Sequence, residues 1–170
     1  PAYSFPNIAA EAVAFDKDEN LYVVETEQTA AVKIYKKVIL NGFERYDAWK
    51  THQGGFINPR GIAFDSKNRL YLADDGNDRL LRFNTPYDNG TFAVVASTFG
   101  NLKGLAIAND DMFITGYSRN LVYKSDITDA GGLNEKHIVG GMNKVVDVAT
   151  NGDLVAITSP ENSTITLLKA

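Results

Sequence analysis

Four loop segments hold the residues of this chain that are best suited to chemistry. They are Glu25-Thr26-Glu27-Gln28, Asp74-Asp75-Gly76-Asn77-Asp78-Arg79, Gly116-Tyr117-Ser118-Arg119-Asn120 and Ser159-Pro160-Glu161-Asn162. Binding groups concentrate on loops held by a rigid scaffold. Glu25, Arg60, Asp74, Asp75, Asp78, Arg79, Tyr117 and Arg119 therefore make up the candidate binding surface. Asp74 and Arg79 have a competing use, which is to tie their own loop to its neighbours.

Metal chemistry has thinner support. Asp16, Asp18, Asn20 and Glu27 fall at the first, third, fifth and twelfth places of a calcium loop, but Leu21 stands where such a loop requires glycine. An ordinary polar turn explains them as well, so calcium is a weak cofactor expectation. Asp147 is a further weak metal candidate, because a carboxylate near a narrow axis must find a cation, a donor or water. The chain has two histidines, His52 and His137, and no cysteine. That set is too small for a typical zinc site and excludes disulfides and thiolate nucleophiles. No Gly-x-Ser-x-Gly elbow is present, and no catalytic residue is assigned.

A fourfold repeat must position these loops. Each copy is anchored on a small residue in its first apolar run: Ala14, Ala63, Ala106 and Ala149, which stand 49, 43 and 43 residues apart. A turn rich in Asp and Asn follows each anchor, then a second run (Leu21–Val24, Leu70–Ala73, Met112–Thr115, Leu154–Ile157) and a third (Val32–Tyr35, Leu80–Phe83, Leu121–Lys124, Ile165–Leu168). Short runs of β-branched and aromatic residues between such turns read as strands. A more polar fourth run completes three copies, at Phe43–Trp49, Thr91–Thr98 and Glu135–Val139. Asn41-Gly42 before the first of these is a strong hairpin signal.

The inner runs are apolar on both alternating faces, so each sheet must stack on like sheets. Radial stacking of four-stranded antiparallel sheets is a β-propeller. The expectation is an all-β propeller of four blades, at roughly 9–49, 58–98, 101–140 and 144–170 plus 1–8. The fourth copy lacks an outer strand, and Ala2–Phe5 is a spare one that would seal the ring beside Ile165–Leu168 and cover an open edge. The alternatives are a part of a larger, six-bladed propeller or the joining of two chains. Just before each first strand stand Glu11, Arg60, Lys103 and Val146, which this map places around the channel mouth, with Asp147 next to them.

The second copy, Pro59-Arg60-Gly61-Ile62-Ala63-Phe64-Asp65 through Leu70-Tyr71-Leu72-Ala73-Asp74 to Asn77-Asp78-Arg79-Leu80, resembles the NHL-repeat family. The first copy departs from that pattern with Ala12 and Glu25, and the third and fourth keep its apolar skeleton. The resemblance implies a propeller scaffold. Related propeller lyases use His-rich metal sites, which this chain does not match.

The chain has 170 residues, 44% of them hydrophobic, and a formal net charge of −4. It is long enough to bury one core. No Lys/Arg cluster marks a nucleic-acid surface, and no apolar run is long enough to span a membrane. The sequons at Asn89 and Asn162 would suit glycans on loops, and an extracellular location is slightly favoured. These readings point to a non-enzymatic binding or assembly module that contacts a protein or glycan through its loop face and is able to form homo-oligomers. The alternatives are a propeller hydrolase or lyase with a central metal, using Glu25, Asp74 and Asp147, and a structural subunit of an extracellular or viral assembly.

Overall fold

A computed structural model describes residues 4–5, 8–26, 29–84, 90–139 and 142–170, with backbone alone for 135–139. Blade one is β1 (Ala10–Phe15), β2 (Leu21–Glu25), β3 (Ala31–Leu40) and β4 (Phe43–His52). Blade two is β5 (Pro59–Phe64), β6 (Leu70–Asp74), β7 (Arg79–Phe83) and β8 (Ala93–Ser97). Blade three is β9 (Leu102–Ala108), β10 (Asp111–Gly116), β11 (Leu121–Ile127) and β12 (Leu133–Val139). Blade four has β13 (Asp147–Thr150), β14 (Leu154–Ser159) and β15 (Thr164–Lys169). Each blade is an antiparallel meander in sequence order. The chain is a propeller of four blades, as the repeat implies.

The alternation of side chains along each strand builds the core. In β6, Leu70 and Leu72 join Tyr22, Val24, Val32 and Ile34 of blade one. Tyr71 and Ala73, between and beyond them, join Leu105, Met112, Ile114 and Tyr123 of blade three. Phe113 and Val122 then meet Val148, Val155 and Ile157 of blade four. A blade placed between two others buries both faces, which is why its inner runs are apolar throughout.

In blades one and two the turn after the inner strand is held by a carboxylate. Asp16 Oδ1 accepts the N–H groups of Asp18 and Asn20, each at 2.9 Å, and its Oδ2 accepts the Asn20 amide and the Tyr22 hydroxyl. Asp65 repeats the arrangement with the N–H groups of Lys67 and Arg69, the Arg69 guanidinium and the Tyr71 hydroxyl. Neighbouring turns are also tethered to each other. Lys17 N–H donates to Asn68 Oδ1 at 3.0 Å, and Ser66 donates to Asp110 through its N–H and its hydroxyl. At the Asn41-Gly42 turn both residues have positive φ, 51° and 79°, the geometry of the two-residue hairpin that the pair favours.

The ring does not close through the expected strand among the described residues. β1 packs on β5, β5 on β9 and β9 on β13, but no comparable packing returns from β13 to β1. Part of the segment Ala2–Phe5 lies outside the described residues, and Ser4 and Phe5 carry no strand pairing. Phe5 instead sits on blade one, its ring 4.6 Å from that of Tyr35. There, with Ile8, it covers Leu21 and Val23, an apolar surface that no blade occupies among the described residues.

Candidate functional site

The loops between the second and third strands of blades two and three share one face with the linkers between blades. Ile57 N–H donates to Asp74 Oδ1 at 2.7 Å, Gly100 N–H to Asp78 Oδ1 at 3.0 Å and Lys144 N–H to Asn120 Oδ1 at 2.8 Å. In each case a side chain on the loop holds a backbone N–H of the linker. Asp78 and Asn120 reach these positions from left-handed backbone, at φ 46° and 57°, which Asp and Asn tolerate well.

These bonds occupy much of the expected loop-face chemistry. Asp74 is fully buried and also accepts from the Asn77 amide at 2.8 Å and Arg79 Nε at 2.7 Å. Arg79 reaches on to the Gly54 and Gly55 carbonyls and lies over the Phe92 ring. Glu25 is buried and paired with Lys33 at 2.8 Å; that bond to Glu25 raises the Lys33 pKa despite desolvation. Arg119 donates to the Tyr123 hydroxyl at 3.4 Å. These residues brace the loop face. They do not converge on one pocket.

A second group does converge, around the axis. Glu11, Arg60, Lys103 and Asp147 line a cavity of about 380 Å³ whose walls are Ala12, Val13, Gly61, Ile62, Leu105 and Val148. Arg60 bonds Glu11 across the first two blades. Its Nε lies 3.8 Å from Asp75 Oδ2, and Lys103 Nζ lies 3.7 Å from the same oxygen. Asp75 is buried, and its Oδ1 and Arg60 Nε have no hydrogen-bond partner among the described residues. Asp147 is exposed and bonds the N–H of Val148 through its own Oδ1 at 2.9 Å.

Tyr117 extends this group outward. Lys103 Nζ stands 4.7 Å from its ring centroid and Lys144 Nζ 4.4 Å from it. Two ammonium groups thus flank one aromatic ring, a favourable placement for each because of the ring's negative face. Lys144, unlike Arg60, Asp75 and Tyr117, was not singled out in the sequence. In the repeat it stands where Asn58 and Asn101 stand, five residues before the anchoring alanine, and it shares their left-handed backbone.

The remaining candidates are placed as follows. Asp16 serves its turn, and Asp18 is exposed beside it. His52 is the last residue of β4 and is buried, its ring stacked 5.5 Å from that of Phe83. Among the described residues no group of three or more His, Asp or Glu stands in metal-binding proximity. Asn89 lies outside the described residues.

No protein-family model matches the chain, and no curated protein sequence matches it. Solved structures do. The computationally designed Ika4 protein overlays with a TM-score of 0.69 at 14% identity, over 99% of this chain and 95% of that one. Virginiamycin B lyase from Staphylococcus aureus overlays with a TM-score of 0.63 at 14% identity, over 99% of this chain and 58% of the lyase. A chain of the nidogen/laminin complex gives 0.63 at 14% identity, over 98% and 78%. The fold is that of the β-propellers. The chain spans little more than half the length of the lyase. Identities this low show the shared fold, and function on such a scaffold resides in its loops and sites.

Proposed function

We propose that the chain is a non-enzymatic binding module of NHL-like repeats that takes an acidic segment of a partner protein on its loop face. The observation that carries this reading is the Lys103–Tyr117–Lys144 group at the edge of the central cavity. Asp74 and Asp78 are engaged with neighbouring donors. Lys103, Tyr117 and Lys144 remain to meet a partner. Tyrosine is favoured at protein interfaces, and a carboxylate that meets either ammonium group gains charge-assisted hydrogen bonds. A propeller chain within a protein–protein complex supports the reading by analogy. The NHL-like pattern of Pro59–Phe83 supports it too: Gly61 allows a close strand approach and Asp74 with Arg79 braces the loop.

A hydrolase or lyase would need Glu25, Asp74 and Asp147 to meet. Of these, Asp147 alone lines the cavity, while Asp74 is buried under its loop and Glu25 is paired with Lys33.

The test is fluorescence anisotropy with a labelled glutamate-rich peptide. Wild-type binding is expected to weaken with added salt. The double variant Lys103→Glu, Lys144→Glu is expected to bind about tenfold or more weakly, a loss of roughly 1.4 kcal/mol. Equal affinity of the two proteins would overturn the reading. Binding of a uronic-acid oligosaccharide in place of the peptide would assign the face to a glycan.

A further inference from the structure

Val13, Ile62, Leu105 and Val148 hold the same place in the four inner strands, each just before the anchoring alanine. Ile62, Leu105 and Val148 are 6%, 7% and 5% exposed, whereas Val13 is 58% exposed. The first three each pack on a preceding blade, and Val13 has none among the described residues. Phe15 is exposed beside it. Phe5 and Ile8 pack against Leu21, Val23 and Tyr35 of this face and leave Val13 and Phe15, on the innermost strand, uncovered.

Blade four presents the opposite half of such a junction. Ala149 and Ala156 lie on its outward face with Leu154, Ile165 and Leu167, the last two 72% and 65% exposed. At the junctions within the chain, alanines of the earlier blade meet large side chains of the later one. Ala12 and Ala14 meet the Ile62 face, Ala63 and Ala73 the Leu105 face, and Ala106 the Val148 face. Both halves of a fourth junction are therefore present, and among the described residues β13 and β1 do not pack on each other as the other inner strands do. An apolar surface of this kind marks an interaction site.

We infer that a second copy of this chain covers both faces, with blade four of each copy packed on blade one of the other in a closed eight-bladed ring. The occupant is a second copy because Val13 and the alanines of blade four complement one another as at the three existing junctions, the incoming blade displacing Phe5 and Ile8 from Leu21 and Val23. A head-to-tail contact of this kind forms a ring when its rotation closes. Asp147 takes the place of Ala12, Gly61 and Gly104, so the new junction, like that of Ala12, carries a side chain at its closest approach. This inference does not depend on the loop-face reading, since Lys103, Tyr117 and Lys144 take no part in it.

The test is light scattering of the 170-residue chain after gel filtration, across a dilution series. The expected mass is twice the 18.6 kDa of one chain. Val13→Asp and Ile165→Asp are each expected to give the single-chain mass with unchanged β circular dichroism, because both sites are exposed in one copy. Mixing the two variants is expected to restore a two-chain species, through the one junction that carries neither substitution. Wild type at the single-chain mass, both variants remaining at the double mass, or a mixture no more associated than either variant alone would each overturn the inference. The first result would assign the faces to other blades of a longer chain or to another protein.

Discussion

Gly61 stands against Leu105 so closely that a Cβ on the glycine would lie 2.7 Å from the leucine Cβ and 2.8 Å from the leucine backbone nitrogen. This contact joins the inner strands of blades two and three. Gly104 makes the same approach to Asp147 and Val148, so the glycines set how tightly the blades gather at the axis.

Gly61→Ala is expected to cost about 1–3 kcal/mol, the range for overpacking a filled interior. The clash is with backbone, which cannot swing aside as a side-chain tip can. Gly42→Ala, on an uncrowded turn with φ 79°, is expected to cost about 1 kcal/mol through backbone strain alone. Urea midpoints measure both. A Gly61→Ala protein as stable as wild type would show that the inner strands are not in close contact.

Asp74 and Asp147 should differ widely in their response to truncation. Asp74→Ala leaves the Ile57 N–H, the Asn77 amide and Arg79 without their acceptor, at an expected cost of about 3–5 kcal/mol for breaking a buried charged cluster. Asp147 is exposed and bonds one neighbouring N–H, so Asp147→Ala should fall within roughly 0.5 kcal/mol of wild type. Thermal melts distinguish the two, and equal effects would contradict the assigned environments.

Acid should loosen the junction of blades two and three. The Ser66 hydroxyl, and then the Ser66 N–H, donate to Asp110 and hold its carboxyl below the ordinary 3.8. A depressed folded pKa contributes stability that is complete above the ordinary value and is lost as pH falls through the folded one. The Tm advantage of wild type over Asp110→Asn is therefore expected to be constant near neutrality and to shrink as the pH drops below 3.8. An advantage that persists into strong acid would place the effect elsewhere.

Calcium is expected to leave the melting temperature unchanged. The Asp16 oxygens already accept from Asp18, Asn20 and Tyr22, an arrangement that Asp65 repeats with an arginine in the asparagine's place. A rise in Tm with millimolar calcium, abolished by Asp18→Ala, would establish a site at this turn.

Much of the fold was legible in the chain itself. The spacing of Ala14, Ala63, Ala106 and Ala149, and runs such as Leu70-Tyr71-Leu72-Ala73, determined blades apolar on both faces, because a strand turns alternate residues to opposite sides. Asn41-Gly42 determined its turn for a similarly local reason. Roles that depend on distant partners were not legible. Asp74 and Asp75 are adjacent in sequence, yet Asp74 is enclosed by three donors while Asp75 faces Arg60 and Lys103 near the axis. Lys144 gained its place only when the fold brought it to the ring of Tyr117. Val13 reads like Ile62 and Leu105 in every local respect, yet it is exposed because no blade packs on it among the described residues. Periodicity fixes which face a residue turns toward, because it is a property of neighbouring bonds. What stands opposite that face depends on how the blades rotate about the axis, and that is decided by the packing of the whole chain.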